Sequence, residues 1–145
     1  MPSLRILVDA DACPVKDEVY KVAWRRAVPV AVVSNMRLRV PDHPLIERVV
    51  VSDAFDAADD WIAEQAGAHT VVITADILLA DRCLKAGATV LAPTGRPFTP
   101  ASIGSAIALV VFTLVTAGHL RVRAETGARA SVLVLAIVET VVVLV

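Results

Sequence analysis

Short apolar runs alternate with stretches of helical spacing along the first hundred residues, and turn-forming residues separate them. Ile6-Leu-Val-Asp9 is a buried-strand signal that ends in an acidic turn. Asp11-Ala-Cys-Pro14 supplies a helix start, with Pro14 at an early helical position that tolerates a missing N–H. From there to about Arg26, Val15, Val19, Val22 and Ala23 fall on one face, with Lys16, Asp17 and Lys21 elsewhere. After Pro29, Val30 to Val33 reads as a second strand ending at Ser34-Asn35. Arg37, Arg39, Pro41 and Pro44 mark a loop, and Glu47 to Val51 a third short strand. A helix is expected from about Ala57 to Ala66, capped by Gly67. The run His69 to Thr74 is a buried strand, a helix follows from about Leu78 to Ala86, and Thr89 to Leu91 is a further strand before the loop Pro93 to Pro100.

Strands alternating with helices predict βαβ units and a mostly parallel sheet. With no internal repeat and no low-complexity linker, residues 1–145 are expected to form a single-domain α/β three-layer sandwich.

The segment 103–145 departs from this pattern. Its apolar stretches Ala106 to Ala117 and Val132 to Val145 are each shorter than the roughly 18 to 20 residues a membrane-spanning helix needs, and the second carries Glu139. Buried or interface elements are therefore expected there rather than membrane spans. Such a surface left bare in water favours a homo-oligomer. Ser102 is a candidate cap for the helix that opens the segment.

A net charge of -1 removes any global basic field, so contact with phosphates would need a local patch or a bound metal. Cys13 and Cys83 are too few for a disulfide framework, and reduced thiols in the cytoplasm are the plain expectation. The amino terminus enters a strand directly and lacks a signal-peptide pattern.

Ligands of open parallel sheets bind outside the carboxyl ends of the strands. Asp9 ends the first strand and Asp76 follows the strand that reaches Thr74, so both are expected on one rim. Asp11 lies two residues beyond Asp9, and Asp81 about one helical turn beyond Asp76. Carboxylates gathered at one rim repel each other, and a hard cation such as Mg2+ or Mn2+ relieves that repulsion while leaving sites for a phosphate. Each acid also has a plainer reading. Asp56 suits a helix N-cap; Asp53 and Asp60 suit solvated charges; Asp81 is balanced between ligand and helix-face charge. Asp9 is harder to explain away, because a carboxylate at the end of an apolar strand is costly without a partner. Asn35 and Arg37 are candidate substrate contacts, though a turn cap and a solvated arginine face would look the same. Thr74 is placed to orient a carboxylate from the rim.

Three segments carry a family resemblance: Val8-Asp-Ala-Asp-Ala-Cys-Pro14, Phe55-Asp-Ala-Ala-Asp-Asp-Trp-Ile62 and Ile73-Thr-Ala-Asp-Ile-Leu-Leu-Ala80. In order and spacing they resemble the bacterial YaiI/YqxD family, as do Pro41, Pro44 and Pro97 to Gly104. The resemblance covers roughly residues 4 to 108. It implies a PIN-like fold, related to metal-dependent ribonucleases. It also implies metal-site roles for Asp9, Asp11, Asp59 and Asp76, with Asp81 a weaker member, and a catalytic role for Asp9, Asp11 and Asp76. By analogy the substrate is single-stranded RNA or another phosphate ester. The family's charged tail is replaced here by Leu109 to Val115 and Val132 to Val138.

The same residues admit a rival chemistry. Asp9-Ala-Asp11 after a strand resembles the first motif of haloacid-dehalogenase-type phosphatases, with Asp9 as nucleophile and Asp11 as acid and base. Val32-Val-Ser-Asn35 resembles their second motif. No lysine lies between that segment and Asp76, where one should neutralise the phosphoryl group. A third reading is a non-catalytic module that binds metal or RNA.

Overall fold

A computed structural model describes residues 3–126, with side chains described as far as residue 117. The chain divides into two compact units whose boundary falls between Pro100 and Ala101.

The first unit is built on five strands: β1 (Arg5–Asp9), β2 (Val30–Ser34), β3 (Ile46–Val50), β4 (Thr70–Ile73) and β5 (Thr89–Leu91). All pair in parallel, in the order β3-β2-β1-β4-β5. Three helices cover the sheet: α1 (Lys16–Arg26), α2 (Ala57–Gln65) and α3 (Ile77–Lys85). Side chains alternate across each strand. Ile6, Val8, Val30, Val32 and Ile73 pack with Val19, Tyr20 and Ala23 of α1. Leu7, Val33, Val72 and Val90 point the other way, where α2 and α3 contribute the fully buried Ile62 and Leu79. A helix layer on each face of a parallel sheet makes this an α/β three-layer sandwich.

Several local expectations are corrected. Pro14 lies in the turn ahead of α1; Val15 takes the cap position and Lys16 is the first helical residue. Lys16 Nζ donates to the carbonyls of Ala10 (2.9 Å) and Cys13 (2.8 Å), which holds that turn closed. Gly67 is not a left-handed cap, because α2 ends on extended Ala66. Gly87, just past α3, does take a positive φ (87°). Cys13 and Cys83 are both buried free thiols. Burial pushes the Cys83 thiol up to about 11, so it packs as a small apolar group.

In the second unit, α4 (Pro100–Thr126) starts at Pro100, a residue pre-set for the first helical position. Ser102 is thus inside the first turn and not its cap. The helix is also longer than the apolar run Ala106 to Ala117 suggests. Its stretch Pro100–Ala117 is long and apolar enough to cross a membrane by length and composition. Ser105, Thr113 and Thr116 each donate their hydroxyl to the carbonyl four residues back, which hides their polar atoms along an apolar helix. Ile107, Leu109, Val110, Val111 and Leu114 are exposed. The second apolar stretch, Val132 to Val145, lies outside the described residues.

Candidate active site

The strand order reverses between β1 and β4: the chain leaves β1 towards β2 and leaves β4 towards β5. That switch point opens a crevice at the carboxyl ends of the two strands. A cleft of about 470 Å3 occupies it, lined by Asp9, Asp11, Asn35, Asp53, Asp56, Asp59 and Asp76, with Phe55 and four alanines.

Asp9 is the anchor. It is the last residue of β1 and only 5 % exposed. Thr74, one residue past β4, donates its Oγ1 proton to Asp9 Oδ2 at 2.8 Å. The same Thr74 oxygen accepts the backbone N–H of Asp76 (3.0 Å), so one hydroxyl links both acids. Burial raises the Asp9 carboxyl above its ordinary range; the Thr74 bond pulls it back down and the nearby Asp11 charge pushes it further up. Asp11 stands in the turn after β1, where Ser34 Oγ approaches its Oδ1 at 3.4 Å.

Asp76 is the N-cap of α3, with Oδ1 accepting the N–H groups of Leu78 (2.7 Å) and Leu79 (3.0 Å). A cap role was not foreseen for it, although an Asp before an apolar helical run is the usual cap signal. Its bonds fix the carboxylate at the cleft. Asp56 shows the reverse. It occupies the N-cap position of α2 but sits in the left-handed region (φ 61°) and makes no side-chain cap bond. Asp56 lines the cleft instead, and so does Asp53, expected to be a solvated charge.

Asp59, in the first turn of α2, has a strongly raised carboxyl. Burial and the charges of Asp9, Asp76 and Asp56 push it up to about 6, against a lowering pull from Arg82. Asp60, one residue on, faces away and pairs with Arg82 across α2 and α3 (2.8 Å).

Asp9, Asp11, Asp59, Asp76 and Asn35 are thus brought together, with Thr74 bonded behind them. Asp81 and Arg37 are not in the lining. Asp81 pairs with Lys85 one turn along α3 at 2.6 Å, and Arg37 is exposed on the loop after β2.

Oxygen-only donors are the right chemistry for Mg2+ or Mn2+. Among the described residues, no three acidic, histidine or cysteine side chains close on one point. The cleft therefore offers no all-protein cage, and an ion there would depend on one or two carboxylates and water.

Fold and cleft together define the class: a three-layer α/β protein with a carboxylate-lined crevice at the switch point of a parallel sheet. The chain belongs to the YaiI/YqxD family. The family model described as "Uncharacterized BCR, YaiI/YqxD family" matches residues 7–117. The "UPF0178 protein" of Sphingopyxis alaskensis is 79% identical over 103 residues, covering 71% of this chain and 67% of that protein. The protein of the same name from Nitrobacter winogradskyi is 62% identical over 109 residues, covering 75% and 69%. "UPF0178 protein bll3966" of Bradyrhizobium diazoefficiens is 61% identical over 105 residues, covering 72% and 63%. The aligned stretch thus spans about two thirds of each relative. No solved structure matches the chain.

Proposed function

We propose that the protein is a divalent-metal-dependent phosphodiesterase of the cytoplasm, acting on single-stranded RNA or another phosphate ester. One or two of Asp9, Asp11, Asp59 and Asp76 would hold Mg2+ or Mn2+, with water completing the shell. The observation that carries this reading is the convergence on one cleft of acids from β1, α2 and the cap of α3, where burial first and then the charges of Asp9, Asp76 and Asp56 lift Asp59 to about 6. A cluster that resists full ionisation near neutral pH is what a cation relieves.

When bound, the ion supplies Lewis-acid polarisation of the phosphoryl oxygen and a more acidic water. The chain's own residues do the rest. Thr74 holds Asp9 in one orientation through the 2.8 Å bond. Asp76 is fixed by its two cap bonds. Asp59, charged once the cation relieves the cluster, adds a carboxylate to the same wall of the cleft. Asn35 on the rim supplies a neutral donor to a phosphate oxygen. Arg37 and Arg39, exposed on the following loop, suit contacts to phosphates further along a chain. The phosphatase alternative lacks support here, because the cleft lining contains no lysine and Asp9 is buried against Thr74. The two unpaired thiols agree with a reducing compartment.

Titration with Mn2+, followed by calorimetry, tests the reading in wild type and Asp9→Asn. Wild type should bind, the variant should bind at least about tenfold more weakly, and an end-labelled single-stranded RNA should be cut only with metal. Equal affinity in the two proteins would remove Asp9 from the site.

A further inference from the structure

We infer that Phe55 is a base-stacking platform, so that the carboxylate cleft takes an unpaired nucleobase against the Phe55 ring. The inference rests on the phosphodiesterase reading and adds the substrate class to it: single-stranded nucleic acid.

Phe55 is 93 % exposed, more than any other large hydrophobic among the described residues. It is not a loose end of the surface, because it lines the same cleft as Asp9, Asp59 and Asp76. Its placement is built. The N–H of Ala57 donates to the carbonyl of Ala54 at 3.1 Å, which puts Phe55 and Asp56 at the tip of a tight turn. Asp56 takes a positive φ there, as the third residue of a type II turn does, and gains no cap bond from it. Aspartate tolerates that region better than most residues with a Cβ, so the turn can hold it. Here its result is an aromatic ring held out over a crevice of acids.

The other apolar lining residues are Ala12, Ala54, Ala57 and Ala58. Small side chains leave the space opposite the ring open, and about 470 Å3 lies within the range of small-ligand pockets. Among the described residues Phe55 has no aromatic partner; the ring contacts present join Tyr20, Trp24 and His43.

Charge explains why a base, and not phosphate alone, should anchor the substrate. The chain is net -1 and the cleft is acidic, so electrostatics cannot draw in a polyanion unaided. Stacking on an aromatic ring supplies affinity that every base can use, and it needs a base free of its own duplex.

The test uses the full chain loaded with Mn2+ and an RNA pentanucleotide whose only base is a central 2-aminopurine, the other positions being abasic, and whose fluorescence, read on rapid mixing before any cleavage, falls on stacking. A twin abasic at that position is the control. Phe55→Ala should weaken binding of the first RNA by about 5- to 150-fold and abolish the quench. Phe55→Tyr should bind nearly as wild type. The abasic twin should bind both wild type and Phe55→Ala at the weak level, and Mn2+ affinity should be the same in all three proteins. So exposed a ring is dispensable for folding, so a loss reports the site. If wild type and Phe55→Ala bind and cleave RNA alike, the Phe55 role is overturned and the cleft reading stands. If wild type binds Mn2+ but no RNA, or binds both RNAs equally, the platform is again overturned. If wild type binds no Mn2+, the cleft reading itself falls and this inference falls with it.

Discussion

Thr74 and Asp9, 65 positions apart in sequence, are joined by a 2.8 Å hydrogen bond between the ends of adjacent strands β4 and β1. Both side chains are buried. Asp9 is therefore a carboxylate taken out of water and steadied chiefly by one hydroxyl, which also accepts the Asp76 N–H. Thr74→Val keeps the shape and removes the donor. A buried acceptor left unmatched costs about 1–3 kcal/mol. The loss should be larger at pH 8 than at pH 4, because the Thr74 hydroxyl favours the charged form of Asp9. Urea midpoints at the two pH values check this, and equal losses at both would mean that the bond does not act on the charged form.

Asp81 and Asp59 make a paired comparison. Both are helix acids, but only Asp59 lines the cleft, while Asp81 is paired with Lys85. An exposed pair four residues apart on a helix is worth about 0.2–0.5 kcal/mol. Asp81→Asn should thus leave Mn2+ affinity unchanged and lower stability by no more than about 0.5 kcal/mol. Asp59→Asn should weaken Mn2+ binding. Calorimetric titration of both variants separates them, and a weakened Asp81→Asn would bring α3 into the site.

The rim positions of Asp9 and Asp76 were legible because strand ends in a parallel sheet share one edge, and apolar runs locate strand ends well. The cap roles were less so. Asp76 and Asp56 both precede helical runs, yet one caps and the other does not, since the outcome depends on the φ of the residue itself. The membership of Asp53 in the cleft follows from that turn and has no periodic signal. The start of α1 was misplaced because Pro14 suits a pre-helical turn as well as a first turn, and the Lys16 bonds that close that turn reach back three and six residues. The length of α4 was hidden by its β-branched residues, which lower helix propensity without forbidding the helix.

Ala27 closes α1 in the left-handed region (φ 52°, ψ 42°), and Val28 N–H donates to the Ala23 carbonyl at 3.0 Å, the six-to-one bond of a Schellman motif. Glycine takes this conformation without the clash a Cβ meets, a penalty of roughly 1–2 kcal/mol for L-residues. Part of that gain is offset by the extra freedom glycine gives the unfolded chain. Ala27→Gly should therefore stabilise the protein by about 0.5–1 kcal/mol, seen as a higher melting temperature with unchanged Mn2+ affinity. A lower melting temperature would mean that the helix end is held by other contacts.

The Asp59 carboxyl, lifted from 3.8 to about 6 by burial first and then by Asp9, Asp76 and Asp56, sets a direction for stability against pH. Between those two values the folded protein keeps a proton that the unfolded chain has released, so folding stability falls as pH rises. The contribution is complete below pH 3.8 and is lost as pH passes 6. Asp9, raised in the same direction, adds to the same slope. Asp59→Asn has no proton to lose there, and its neutral amide ends the repulsion. The variant should therefore melt close to wild type at pH 4 and above it at pH 8, with a shallower decline between. Mn2+ should recover stability in wild type at pH 8 and not at pH 4, because binding needs the ionised acids. Melting curves across that range with and without Mn2+ check both halves. A gap between wild type and Asp59→Asn that does not widen from pH 4 to pH 8 would show that the charged acids of the cleft do not destabilise the fold.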